Sequence, residues 1–322
     1  MKENAYVYGV ANIRAKENSL LTGNDIEQLL GFDESAINRF LADKGWEMTA
    51  DVEKSFAKQS LIAWNTVMDV LPDKHELDFL IIKNDFHNLK AALKAYMGND
   101  DAMKYMVEPC VSDPSLIWEA IKKKDYSLLP EMLQDIAKEC DDILAQTLNG
   151  QLTDIMLDRK SVEAMYEQAS KTGHPKLLEL ASLMGEIINL KTTVRAVAMK
   201  KDKVFLEEAI SEMSPISKLN RKEMIQTAEE GIQAFLNYLE TTPYQDAVEM
   251  IETSTTAFEK WCEDKIVQFL QIAKQTSFGP LPLAAYYMAR EAEIKTVRII
   301  VSCKRNAMPE ETIRERIRML YV

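Results

Sequence analysis

Between positions 5 and 21, Tyr6, Val10, Ile13, Glu17 and Leu20–Leu21 return at close to 3.6 residues, which predicts an amphipathic helix with Arg14 and Glu17 on or beside its packed face. Thr22-Gly23 breaks it, and Asn24 with Glu27 predicts a capping-box start for the next. Gly31 and Gly45 punctuate two short helices carrying Leu29, Leu30, Ile37, Phe40 and Leu41. A longer helix is expected from about Asp51 to Val70, before Pro72. His75 to Met97 reads as one helix ended by Gly98, where a left-handed cap costs least. Pro109, Pro114 and Pro130 then predict short helices over 99–145, and Asn149-Gly150 a turn. Helices follow to Lys201, with Pro215 and Thr241-Thr242-Pro243 as later breaks. Tyr244–Thr276, a helix through Cys303 and a terminal helix from Pro309 to Val322 complete the pattern.

One segment of this pattern recurs. Asp85-Phe86-His87-Asn88-Leu89-Lys90-Ala91-Ala92-Leu93 returns as Glu186–Val194 and again as Glu293–Val301. The template is an acid, two variable residues, Asn or Thr, Leu or Val, Lys or Arg, two more, then Leu or Val. The shared base falls at Lys90, Lys191 and Arg298, spacings of 101 (90 to 191) and 107 (191 to 298) residues. Upstream, Phe79, Leu180 and Tyr287 hold the same register. A period near a hundred residues is too long for a solenoid unit, so each copy is expected to be a small bundle. The expectation is an all-α protein of three similar helical bundles with pseudo-threefold symmetry. Its domains are residues 1–110 with part of the C-terminal region, 111–215 and 216–322. Val297–Val301 alone resembles a buried strand; its counterparts Leu89–Leu93 and Leu190–Val194 decide for helix.

Composition agrees: 47% hydrophobic and 28% charged residues, with only 10 Gly and 10 Pro among 322, suit an ordinary helical globular chain. The net charge of −12 gives no footprint for nucleic acid and makes a poor partner for an anionic leaflet. Charge is uneven, 15 acids to 7 bases over 98–170 and 8 bases to 5 acids over 284–322. Cys110, Cys140, Cys262 and Cys303 are scattered without a C-x-x-C pair and read as reduced, packed thiols, hence an intracellular protein. The Met1-Lys2-Glu3-Asn4 opening lacks a signal-peptide layout, and no apolar run approaches the ~20 residues that span a bilayer.

Catalytic patterns are not found. Asp100-Asp101 and Asp141-Asp142 lack the third carboxylate of a diphosphate-binding D-D-x-x-D motif. His75, His87 and His174 have no Glu three residues earlier and no H-x-x-x-H partner. Ser170-Lys171-Thr172 lacks phosphate-loop glycines, and neither a dinucleotide fingerprint nor a G-x-S-x-G elbow occurs. Glu207-Glu208 and Glu229-Glu230 splay to different helix faces. No cofactor and no metal are expected.

On a helix the repeated acid, the Asn or Thr at i+3, and the apolar residues at i+4 and i+8 share one face. That predicts a packed stripe with a polar head bonded to a neighbouring helix, since a buried acid needs hydrogen bonds. The base at i+5 points elsewhere: Lys90 is joined by Lys94, Lys191 by Arg195, and Arg298 has Ser302 at that spacing. A solvated face explains them; the sharper expectation is that Lys90, Lys94, Lys191, Arg195 and Arg298 ring a cavity for an acidic or polar partner.

The chain resembles the C subunit of the bacterial and archaeal V/A-type ATPases, equivalent to the d subunit of the eukaryotic vacuolar proton pump. The resemblance begins with Tyr6, Tyr8, Arg14, Glu17, Leu20 and Leu21 and continues through Asn84–Lys90 and Asp154-Ile155-Met156-Leu157-Asp158-Arg159. It is most specific at Pro282-Leu283-Ala284-Ala285-Tyr286, Glu291–Arg298, Glu311–Arg316 and Tyr321-Val322. It implies a funnel-shaped, three-domain, non-catalytic part of the rotor, one copy per complex. Such a part is peripheral on the cytoplasmic side of the membrane. It links the central stalk (the D and F subunits) to the proteolipid ring and transmits torque for ion transport. A soluble helical-repeat adaptor that binds another protein in a central groove is the alternative. Thr296 in place of Asn, and Cys303 in place of Ala, depart from the other two copies.

Overall fold

The computed structural model describes residues 3–147, 150–212 and 214–322 and is all-helical: among the described residues there are sixteen α-helices and no strand. In chain order they are α1 (Val7–Glu17), α2 (Gly23–Gly31), α3 (Glu34–Asp43), α4 (Val52–Val70), α5 (Ile82–Met97), α6 (Pro114–Lys123), α7 (Glu131–Thr147) and α8 (Gly150–Lys171). There follow α9 (Pro175–Ala198), α10 (Lys203–Ala209), α11 (Arg221–Glu230), α12 (Ile232–Glu240), α13 (Ala247–Thr253), α14 (Thr255–Lys274), α15 (Leu281–Arg305) and α16 (Glu310–Arg316). The three copies of the repeated segment lie in α5, α9 and α15, so Val297–Val301 is helical. No described helix is long and apolar enough to cross a membrane.

The chain forms two compact units, Met1–Lys74 with Asp246–Val322, and His75–Gln245. In the first, α15 packs along α4, and α1 against both. The apolar stripe of the third copy (Val297, Ile300, Val301) joins Leu29, Leu41 and Phe56 in one core. Contact between α1 and α4 is close enough that a Cβ on Gly9 would sit 2.9 Å from the Val70 carbonyl oxygen. In the second unit α8 is the hub, with α5, α7, α9 and α10 packed on it, and α11 and α12 paired beside α9.

Several boundaries differ from those predicted, each for a local reason. The first α-helix ends at Glu17, leaving Leu20 and Leu21 buried in the connection. The capping box lies two residues early: the Thr22 hydroxyl accepts from Asp25 N–H, and the Asp25 carboxylate accepts from Thr22 N–H. The helix expected from His75 begins at Ile82, after a 3₁₀ turn at Asp78–Leu80. At its end Gly98 is right-handed and Asn99 takes the positive φ of 52°, a conformation that Asn tolerates better than most residues. Pro130 precedes a helix of 17 residues, longer than the short ones that the prolines predict. Ser254 breaks the 244–276 stretch and caps α14 by accepting from Ala257 N–H. The terminal helix stops at Arg316, and Ile317–Val322 has no regular structure. Of the expected Asn149-Gly150 turn, Asn149 lies outside the described residues and Gly150 opens α8.

Candidate functional site

All three repeated acids are buried, as are Asn88, Asn189 and Thr296 beside them. Burial at these positions follows from their place on the apolar face of each helix. The expected partner, a neighbouring helix, is not what they bond: the acids hold the backbone of a connecting segment just before the next helix starts. Asp85 accepts from Val111 N–H (2.9 Å) and Ser112 N–H (2.7 Å), and Asp113 is the N-cap of α6. Glu186 accepts from Lys218 N–H (2.7 Å) and from the Tyr244 hydroxyl, and Asn220 is the N-cap of α11. Glu293 accepts from Leu21 N–H (2.6 Å), and Thr22 is the N-cap of α2. A connection can satisfy an acid where a helix cannot, because helical N–H groups past the first turn are already bonded.

The amide at i+3 completes the clamp in two copies. Asn88 donates to Val107 C=O (3.0 Å) and accepts from Val107 N–H (2.8 Å), closing a two-point pairing. Asn189 accepts from Ser211 N–H (3.0 Å) and from the Ser211 hydroxyl. Thr296 has too short a side chain for this and donates to Ala292 C=O of its own helix (2.9 Å). The third copy compensates with Arg290, one turn before the acid. It pairs with Glu293 (2.6 Å), reaches Ser19 Oγ (3.0 Å), and lies over the Trp46 ring. Sequence reasoning misses Arg290; its signal is a lone base three residues before the repeated acid.

Electrostatics follow from burial. Desolvation pushes the Asp85 carboxyl above the ordinary carboxylate range against the pull of its bonds from Ser112 and Val111. Desolvation likewise pushes Glu293 up to about 7, opposed by Arg290 and Leu21 N–H. Cys110, beside the first clamp, is pushed up to about 12 by burial and then by Asp85, so it is a poor nucleophile. Asp100, in the connection after α5, pairs with Lys104, and Asp141, inside α7, pairs with Lys124 at the C-terminal end of α6. Among the described residues no cluster of His, Cys, Asp or Glu is placed to hold a metal ion.

The five bases singled out by the repeat divide. Lys90 pairs with Asp158 (2.6 Å) and Lys94 with Asp154 (2.7 Å), both across to α8. Arg298 pairs with Glu53 of α4 (3.0 Å) and covers the Phe56 ring. Lys191 is half-buried on α9 and Arg195 exposed. The first and third copies therefore use their bases in the same way, against the long helix alongside.

Residues 10–316 match the family model described as the ATP synthase (C/AC39) subunit. The chain is 24% identical to the C subunit of the V-type sodium ATPase of Enterococcus hirae, over 96% of this chain and 97% of that protein. It is 23% identical to the C subunit of the A-type ATP synthase of Desulfurococcus sp., over 98% of this chain and 91% of that protein. With nearly its whole length matched, the chain belongs to the C/AC39 family of rotary ATPase subunits.

Proposed function

We propose that this chain is the non-catalytic central-rotor subunit of a V/A-type ATPase. It acts as a socket that joins the central stalk's D and F subunits to the membrane proteolipid ring and passes torque between them. One copy per complex sits peripherally on the cytoplasmic side, held by its neighbours. In this reading three helical bundles, nominally residues 1–110 with part of the C-terminal region, 111–215 and 216–322, lie about a pseudo-threefold axis as a funnel.

The observation that carries the proposal is the end-to-end family match, residues 10–316. The clamps supply a physical reason. A part that transmits torque needs stiffness, and here the buried acids of all three copies are spent on fastening connections to helices. Lys90, Lys94, Lys191, Arg195 and Arg298 are proposed to face the partner, with Lys90, Lys94 and Arg298 exchanging their present carboxylates for those of the stalk.

The test is reversal of Lys90, Lys191 and Arg298 to Glu together, followed by measurement of affinity for a D–F stalk complex as a function of salt. Weakened binding with a shallower salt dependence is expected. Unchanged binding with intact helicity removes the bases from the interface. Absence of any binding by the unaltered chain removes the socket role itself.

A further inference from the structure

The connection between α5 and α6 is heavily fastened to α5. Four side chains from little more than one turn of α5 hold it. Asn84 donates to Pro109 C=O (2.7 Å) and His87 Nε2 bonds Tyr105 C=O (3.1 Å). Asn88 takes both backbone groups of Val107, and Asp85 holds Val111 and Ser112. The C=O groups of Tyr105 and Pro109, the N–H of Val111 and both backbone groups of Val107 are thus turned toward the helix.

This fixed backbone also carries exposed apolar and aromatic side chains. Tyr105 is 53% exposed, Met103 45%, Val111 38% and Val107 36%. Four exposed apolar residues within nine positions, on a backbone whose freedom is already spent, form a pre-ordered surface; binding there costs little further entropy. Tyr and Met are also residue types enriched at the cores of protein interfaces.

Charge identifies the occupant. Residues 99–113 carry Asp100, Asp101, Glu108 and Asp113 against Lys104 alone. That balance repels anionic lipid and nucleic acid and favours a cationic protein segment. The corresponding connection of the second copy, residues 199–219, is balanced, with Lys200, Lys201, Lys203 and Lys218 against Asp202, Glu207, Glu208 and Glu212. Its exposed Met199, Val204 and Ile216 lie on a neutral background. The two connections share a fastening but not a charge, so they are not interchangeable surfaces.

We propose that the clamped connection 99–113 is a docking edge for a basic, apolar-faced segment of a neighbouring protein in the assembled ATPase. This rests on the reading of the chain as a subunit of that complex. The experiment compares hydrogen exchange across residues 99–113 in the chain alone and in the purified complex. It also measures retention of M103E/Y105E, E108K and, as a control, V204E.

Slower exchange over 99–113 in the complex, at least tenfold lower retention of M103E/Y105E, a several-fold loss for E108K and near-normal retention of V204E support the proposal. Unaltered exchange at 99–113 while the chain stays bound overturns it and leaves the subunit role standing. Full retention of E108K overturns the basic character of the partner segment. A wild-type chain absent from the complex overturns both readings. Circular dichroism of each variant separates lost docking from lost folding.

Discussion

Asp85 shows how one side chain can be worth more than its own hydrogen bonds. Its two oxygens take the backbone N–H groups of Val111 and Ser112, so Asp85→Ala removes the side-chain acceptor of both. The expected cost is about 2–4 kcal/mol, read from a denaturant midpoint, with faster amide exchange at Val111 and Ser112. Asp85→Asn keeps one acceptor and falls between the two. Glu293 adds a pH dependence. Its folded form holds a proton more tightly than the unfolded chain, because desolvation outweighs Arg290, and Asp25, paired with Lys44, adds to the shift. The contribution to stability is therefore full below the ordinary carboxylate range and is lost as pH rises through about 7. Unfolding melts from pH 5 to 8 are expected to show this decline in the wild type and to lack it in Glu293→Gln. An identical profile in both contradicts the assignment.

Helices meet closely where small residues allow it. Gly9→Ala places a Cβ 2.9 Å from the Val70 carbonyl, a backbone atom that cannot step aside, and is expected to destabilise by about 1–3 kcal/mol. Gly31→Ala meets nothing within 4 Å and should stay within about 0.5 kcal/mol of wild type. Thermal melts of the two variants check the pair. Lys94→Ala, breaking a surface pair with Asp154, should cost under about 1 kcal/mol, so a large loss of assembly from that change would report a partner. Much of this scale is readable from sequence. Apolar periodicity locates the helices and the repeat decides Val297–Val301, because both depend on which face is buried. Boundaries are harder, since Thr22 and Asn24 offer the same chemistry and only the close pairing of Thr22 with Asp25 selects between them. The clamps are half-visible: burial of the acid and amide follows from the pattern, but every acid takes at least one backbone N–H of a connection, which no side-chain spacing encodes.

Across the whole chain, the same acid-to-connection bond appears in α5, α9 and α15, with the third copy reaching back to Leu21 near the other end of the sequence. The helix that carries the last repeat thereby secures the connection between α1 and α2, and the same unit holds both. Such fastening suits the torque-passing role proposed above, and the family match places the chain among the ATP synthase (C/AC39) subunits. The most direct measurement is ion transport and ATP hydrolysis by the host complex reconstituted with and without this chain. The account predicts that removal abolishes ATP-driven transport while the catalytic head still hydrolyses ATP, and that adding the chain back restores transport. Transport that persists at full rate without the chain would contradict it.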